Sequence, residues 1–185
     1  MRSGWPAKSK SNFANWAFDP NVVFPTDLTV SALVEQDGRF LIVEETSTGV
    51  VVVTQPGGHI ESGESPEQAA IRETLEETAC EIAIRELLGV YLWIHPQTRQ
   101  QFLRIVYTGT LLKQHHSQPL DDGIHAVHWY SEADLRRRKR DWRTPIVLRC
   151  IEDYKAGQRQ VSGFLTNMLP LQKNVHAVLA TASLV

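Results

Sequence analysis

Residues 72–77 read RETLEE and place three carboxylates in six positions, at Glu73, Glu76 and Glu77. On a helix advancing about 100° per residue, Glu77 lies about 40° to one side of Glu73 and Glu76 about 60° to the other, so all three share a wedge about 100° wide. Like charges at spacings of three and four weaken a helix. A solvated acidic face is the common fate of such a cluster, and interspersed Lys at i+4 would then be expected. No Lys occurs between Lys10 and Lys113, and Arg72 alone sits near the wedge. The pattern therefore reads as a site for a bound cation. Carboxylates without cysteine select a hard ion, and Mg²⁺ is usually held by a few carboxylates with water and substrate phosphate oxygens, Mn²⁺ being a substitute of similar preference. Phosphoryl chemistry follows most naturally.

A helix has to carry these residues. Ser65-Pro66-Glu67-Gln68 reads as N-cap, N1 proline and the N3 partner of a capping box, so the helix starts at Pro66. Ile71 and Leu75 lie opposite the acidic wedge and are expected to bury, leaving the carboxylates outward. Ahead of the helix, Gly57 and Gly58 permit backbone geometry closed to other residues, including a carbonyl turned toward a ligand. An ordinary strand-ending turn is the plainer reading of that pair taken alone.

The rest of the chain reads mostly as strands. LTVSALVE runs into Asp37-Gly38, a hairpin turn signal, and RFLIVEE follows; TSTG then leads to VVVVTQP. Beyond the helix, CEIAIRELLGVYLWIH and QQFLRIVYTGTLLKQ are two long strands joined through PQTRQ, and IHAVHWY is a further strand after a polar loop. Ser131 caps a short helix over EADLRRRK, and Thr144-Pro145 opens another over IVLRCIEDYKA, closed by Gly157. Strands, helix, strands, helices in this order indicate an α+β sandwich rather than a regular βαβ succession.

The spacing from Gly58 through Glu64 and Arg72-Glu73 to Glu76-Glu77 resembles the Nudix box, G-x5-E-x7-R-E-U-x-E-E-x-G-U. Two positions depart from it: Thr74 replaces an aliphatic residue and Ala79 replaces the final Gly. A left-handed cap at Ala79 costs about 1 kcal/mol, so an adjusted helix exit is expected. VEET in the second strand, QPGGHIE, WIHP followed by FLR, and TPIVLRCIEDYKAGQR are similar to the phosphatase NudJ branch of that family, and the likeness covers about residues 27–160.

This resemblance implies a Nudix fold, an α/β/α sandwich with a mixed sheet and the box helix at its side. It implies Mg²⁺-dependent hydrolysis of phosphate anhydrides in nucleoside di- and triphosphates, or in thiamine-type pyrophosphates. By position, Glu76 and Glu77 are the principal metal ligands, Glu73 a further ligand or the residue orienting the attacking water, and the Gly57 carbonyl another ligand. Glu64 and Arg72 support them, Arg72 by holding a box glutamate. A general base comes either from the helix or from a later loop, where Asp122 is a better candidate than Asp121; a solvated Asp-Asp-Gly turn is the alternative. The rivals are a Nudix hydrolase of another linkage, such as a nucleotide sugar or dinucleoside polyphosphate, and a degenerate module for ligand sensing or RNA binding. The second would be expected to lack box glutamates, and all are present.

Bulk properties constrain partners. The 185 residues fit one domain, and a formal charge of -2 with 42% apolar and 22% charged residues gives no global attraction to nucleic acid or membrane. The partner expected is a small phosphorylated molecule, with a monomer or homodimer as the assembly. Cys80 and Cys150 form no C-x-x-C pair, the histidines form no H-E-x-x-H, and no apolar stretch approaches membrane-spanning length, so a cytoplasmic protein is the default expectation. The run RRRKR, 136–140, reads as a solvated helix face rather than an RNA contact. Trp93, His95, Phe102 and Arg104 flank a turn where a ring could stack, with sheet core the equal alternative for Trp93 and Phe102. Residues 1–26 form an arm with five aromatics, and 161–185 a C-terminal extension.

Overall fold

A computed structural model describes residues 25–96 and 98–159 of the chain. Most of the expected arm, and the whole extension from residue 161, lie outside the described residues.

β1 (Thr26–Gln36) and β2 (Arg39–Ser47) form the expected hairpin, with Glu35 opposite Phe40. Asp37 and Gly38 turn it at φ 51° and 77°, the paired positive values that match strand twist and suit these two residue types. β3 (Val50–Thr54) returns antiparallel to β2. After α1 (Pro66–Thr78) come β4 (Cys80–Ile94) and β5 (Gln101–Gln114), an antiparallel pair, and then β6 (Ile124–Ser131). α2 (Glu132–Arg137), a 3₁₀ turn (Lys139–Asp141) and α3 (Ile146–Lys155) complete the described chain.

Two pairings join these elements across long stretches of sequence. β1 runs parallel to β5 from Thr26↔Gln101 to Val34↔Gly109, and β6 pairs antiparallel with β2 on the side away from β3. The sheet path is β3-β2-β1-β5-β4, with β6 attached to β2. Because β1 meets β2 only near the hairpin, the rest of the sheet opens into two wings. Alternation along β1 then serves two layers. Val30 packs with Ala69, Ala70 and Ile105, while Ala32 and Val34 pack with Leu41, Cys80 and Ile82 and with the partly buried Ile71 of α1. Leu33 points the other way, into a core with Val106, Leu88, Leu135, Val147 and Ile151 beneath α2 and α3. The result is the α/β/α sandwich expected.

α1 itself is oriented differently from expectation. Ser65 forms the capping box with Gln68 as read. Ile71 and Leu75, however, are only partly buried, and the side laid against the sheet carries Ala69, Ala70, Thr74, Glu77 and Thr78. Small residues let the helix approach closely, and that side overlaps the acidic wedge. Thr74 tolerates full burial because its hydroxyl donates to the Ala70 carbonyl at 2.7 Å. The helix exit is not adjusted either: Ala79 takes the left-handed conformation itself, at φ 55°, and its N–H donates to the Leu75 carbonyl.

Candidate functional site

The turn before α1 is held against β1 by the backbone. Val30 N–H donates to the Gly58 carbonyl at 2.9 Å and Ala32 N–H to the Pro56 carbonyl at 3.1 Å. Gly57 sits between them at φ 153°, where a Cβ would stand 2.1 Å from the Val30 carbonyl oxygen. Only glycine fits that close approach. The consequence is that the Gly57 N–H points at α1 and donates to Glu77 Oε2 at 2.8 Å.

Arg72 organises the other carboxylates. Its Nε and Nη2 grip the two oxygens of Glu64 at 3.1 and 2.7 Å, a bidentate fork, while Nη1 donates to Glu73 and Glu76 at 2.9 Å each. Nη2 also reaches the His59 carbonyl at 3.1 Å. Glu64 accepts the Glu61 N–H as well, so its position is doubly tied. One guanidinium thus links the loop, the middle of the helix and its exposed edge. Arg72, the one basic residue expected near the wedge, pairs with Glu73 and Glu76 as well as with Glu64.

Electrostatics divide the four glutamates. The Arg72 hydrogen bond, the largest influence, holds Glu64 below the usual carboxylate range. Glu73 is raised, first by burial, with Glu76 and Asp121 adding to it against the pull of Arg72. Burial pushes Glu77 up to about 8; the Gly57 N–H opposes this, and Glu45 and Glu73 add to it. Glu77 is 8% exposed, whereas the Glu76 side chain is 40% exposed.

Among the described residues no three His, Cys, Asp or Glu converge to hold a metal in this side-chain arrangement. Arg72 draws Glu73 and Glu76 to itself, and Glu77 turns to Gly57. The donor set still fits a hard divalent cation in its chemistry, because every donor is a carboxylate or carbonyl oxygen. Glu77 makes the same point energetically: it is a buried carboxylate bonded by one backbone N–H and repelled by Glu45 and Glu73, a charge that a cation would stabilise.

The later loop meets this site through Asp121. Asp121 N–H donates to the Glu76 carbonyl at 3.1 Å, and the Asp121 charge acts on Glu73. Asp122 is exposed on the adjoining turn, without a bond to the cluster. The two aspartates are adjacent in sequence, and only the docking of this loop on the end of α1 separates them. Glu45 was legible only as part of VEET; its role as a charge beside Glu77, itself paired to Arg143 at 2.7 Å, depends on the fold. The basic run is largely neutralised locally, by pairs of Arg136 with Glu132 and Glu152, Arg137 with Asp134, and Arg138 with Asp141 and Glu44. Trp93, His95, Phe102 and Arg104 line a cleft that His59 borders, just beyond the glycine turn.

Residues 25–150 match the NUDIX domain family. Phosphatase NudJ of Shigella boydii serotype 4 (strain Sb227) and of Escherichia coli (strain K12) are each 34% identical over 137 residues, spanning 74% of this chain and 88% of theirs. Among solved structures, a NUDIX hydrolase from Nitrosomonas europaea is similar at 38% identity and TM-score 0.75, over 77% of this chain and 97% of that one. A MutT NUDIX hydrolase from Burkholderia pseudomallei shares the fold at 21% identity and TM-score 0.60, over 70% of this chain and 98% of its own.

Proposed function

The chain belongs to the NUDIX family of hydrolases, and from that premise we propose that it hydrolyses phosphate anhydrides in nucleoside di- or triphosphates, or in thiamine-type pyrophosphates, with Mg²⁺. The observation that carries this reading is the gathering of Glu64, Glu73 and Glu76 around Arg72 beside the buried Glu77. A relative named as a phosphatase, at 34% identity over most of its length, supports the same reaction class.

Glu76 and Glu77 would be the principal holders of the cation, with Glu73 and the Gly57 carbonyl completing the protein's share. Bound Mg²⁺ supplies charge neutralisation at the anhydride, a more acidic water and stabilisation of the leaving phosphate. The protein's own part is positional. Arg72 anchored on Glu64 keeps Glu73 and Glu76 from splaying under mutual repulsion. Glu73, raised by burial and by Glu76 and Asp121, suits a group that orients a water and accepts its proton. Asp121 stands near enough to share that task, and Asp122 is better read as part of the solvated turn.

The test is phosphate and pyrophosphate release from a panel of nucleotides and thiamine phosphates with Mg²⁺, with products identified. Glu76→Gln and Glu77→Gln should each lower turnover by about 100-fold or more while the circular dichroism spectrum is unchanged. Absence of release from any substrate by the wild-type protein would favour a ligand-sensing module instead.

A further inference from the structure

The sheet face under α1 continues beyond the helix and is left open there. On β5, Leu103, Ile105 and Tyr107 point to the α1 side, and strand register sets Val30 and Val90 beside Ile105, and Leu28 and Leu92 beside Leu103. Val30 and Ile105 are buried with Ala69 and Ala70 of α1, while Val90, at the outer edge of that row, is exposed. One row further on, Leu28 is 44% and Leu92 61% exposed, with Leu103 partly buried between them. Ile94, a row beyond Leu92, is exposed as well. The boundary is sharp because the capping box of Ser65 and Gln68 fixes where the helix starts, and the Tyr107 hydroxyl donates to Glu67 Oε1 at 3.0 Å in its first turn.

These apolar side chains lie together on three neighbouring strands. β4 ends the sheet path, and among the described residues no strand pairs with its outer side. An apolar sheet face beside an unpaired edge is a surface that folded proteins ordinarily cover. The chain carries suitable material at the right place. Residues 1–24 precede β1 and contain Trp5, Phe13, Trp16, Phe18 and Phe24. They lead into Thr26, whose row holds Gln101 and Ile94 at the open end of the face. A segment of that length reaches about 80 Å when extended, whereas three strands span about 10 Å, so the whole face is within reach. Tethering also spares the arm the translational and rotational entropy that docking of a second copy would lose. Pairing two such faces between copies would do nothing for the aromatics of either arm.

We propose that this face is the docking surface for residues 1–24 of the same chain, which lay their aromatic side chains across Leu28, Leu92, Ile94 and Leu103 and extend the cover that α1 begins. The arm thereby shields the apolar end of the β1–β5–β4 wing from other chains. This docking is independent of the hydrolase chemistry, since none of the residues it uses belongs to the carboxylate cluster.

The test is the rate at which a fluorescein maleimide labels full-length Leu92→Cys at neutral pH. Cys80 and Cys150 are fully buried, so the new thiol reports on its own position. Replacing Trp5, Phe13, Trp16 and Phe18 together by Ser in the same full chain should raise the labelling rate about tenfold or more, because a docked segment limits access until it opens. The rate with the intact arm should not depend on protein concentration. Leu112→Cys, exposed on the opposite face of β5, is the control and should label equally fast with either arm. Equal labelling of Leu92→Cys with both arms overturns the proposal, as does an equal acceleration at Leu112→Cys. A rate at Leu92→Cys that falls as protein concentration rises, with a dimer seen by light scattering, assigns the face to a second copy and overturns it too. Should Leu92→Cys fail to fold, Leu28→Cys on β1 is measured in the same way and decides the matter.

Discussion

A Cβ on Gly58 would stand 2.5 Å from both carboxylate oxygens of Glu73. Glycine here makes room for a side chain of the box, whereas its neighbour Gly57 makes room for the backbone of β1. The two positions should therefore respond differently to the same substitution. Gly58→Ala displaces a flexible carboxylate, so kcat should fall by about tenfold to 100-fold with little change in melting temperature. Gly57→Ala meets the Val30 carbonyl and strains φ, and should cost about 2 kcal/mol or more in urea unfolding. Equal effects of both on stability would count against this assignment.

Arg72→Lys keeps a charge and loses the fork. Lysine cannot grip both oxygens of Glu64 while reaching Glu73 and Glu76, so a fall in kcat of about tenfold to 100-fold is expected, with a modest change in KM. Arg72→Gln should be worse, because three carboxylates then face one another without a cation of the protein. Steady-state kinetics on one substrate separates the cases, and wild-type kcat in Arg72→Lys would show that the fork has no positioning role.

On the proposed reading Glu77 holds the cation, and its buried charge is unfavourable without one. Glutamine can still accept the Gly57 N–H, and it removes a buried charge that burial, Glu45 and Glu73 all oppose. In EDTA at pH 8 to 9, Glu77→Gln should therefore melt at or above the wild-type temperature. Addition of Mg²⁺ should raise the melting temperature of the wild type by more than that of the variant, since only a ligand bound to the native state stabilises it. A variant stabilised equally by Mg²⁺ would place the cation elsewhere.

Both cysteines are inaccessible, with Cys80 and Cys150 each at 0% exposure. Burial pushes the Cys150 thiol up to about 12 and raises Cys80 too. Neither should react with a disulfide reagent at pH 8 until the protein unfolds. The sign of the linked effect follows. Above about pH 8.5 the unfolded chain gives up thiol protons that the native state keeps, so stability should fall as pH rises from there toward 12. Tyr91 and Tyr107, also raised by burial, act in the same direction at the upper end. The urea midpoint at pH 8 and at pH 10 checks this, and an unchanged or higher midpoint at pH 10 contradicts it.

Ala79→Gly relieves a left-handed alanine at φ 55°. Stability should rise by about 1 kcal/mol, less the greater freedom of glycine in the unfolded chain, with activity unchanged. Chemical denaturation measures this directly.

Local chemistry was enough to read the elements. A capping box, an Asp-Gly turn, strand alternation and fixed glutamate spacings act over a few residues, so Ser65, Asp37-Gly38 and the box positions could be placed on their elements from sequence alone. The family and its hydrolytic chemistry were legible for the same reason. What lay beyond reach were relations among distant segments. The parallel pairing of Thr29 with Arg104, the seating of the Asp121 N–H on the Glu76 carbonyl, the arrival of Glu45 beside Glu77, and the burial of Glu77 instead of Ile71 and Leu75 each depend on how a helix or strand docks. Periodicity states which residues share a face of a helix; it does not state which face a sheet will cover when small residues permit closer approach on the acidic side. Sequence by itself determined that carboxylates gather on one helix behind a glycine turn. Tertiary structure alone decided which of them is buried, which is held by Arg72, and which cleft stands beside them, because desolvation and charge pairing are properties of the packed molecule and not of the chain.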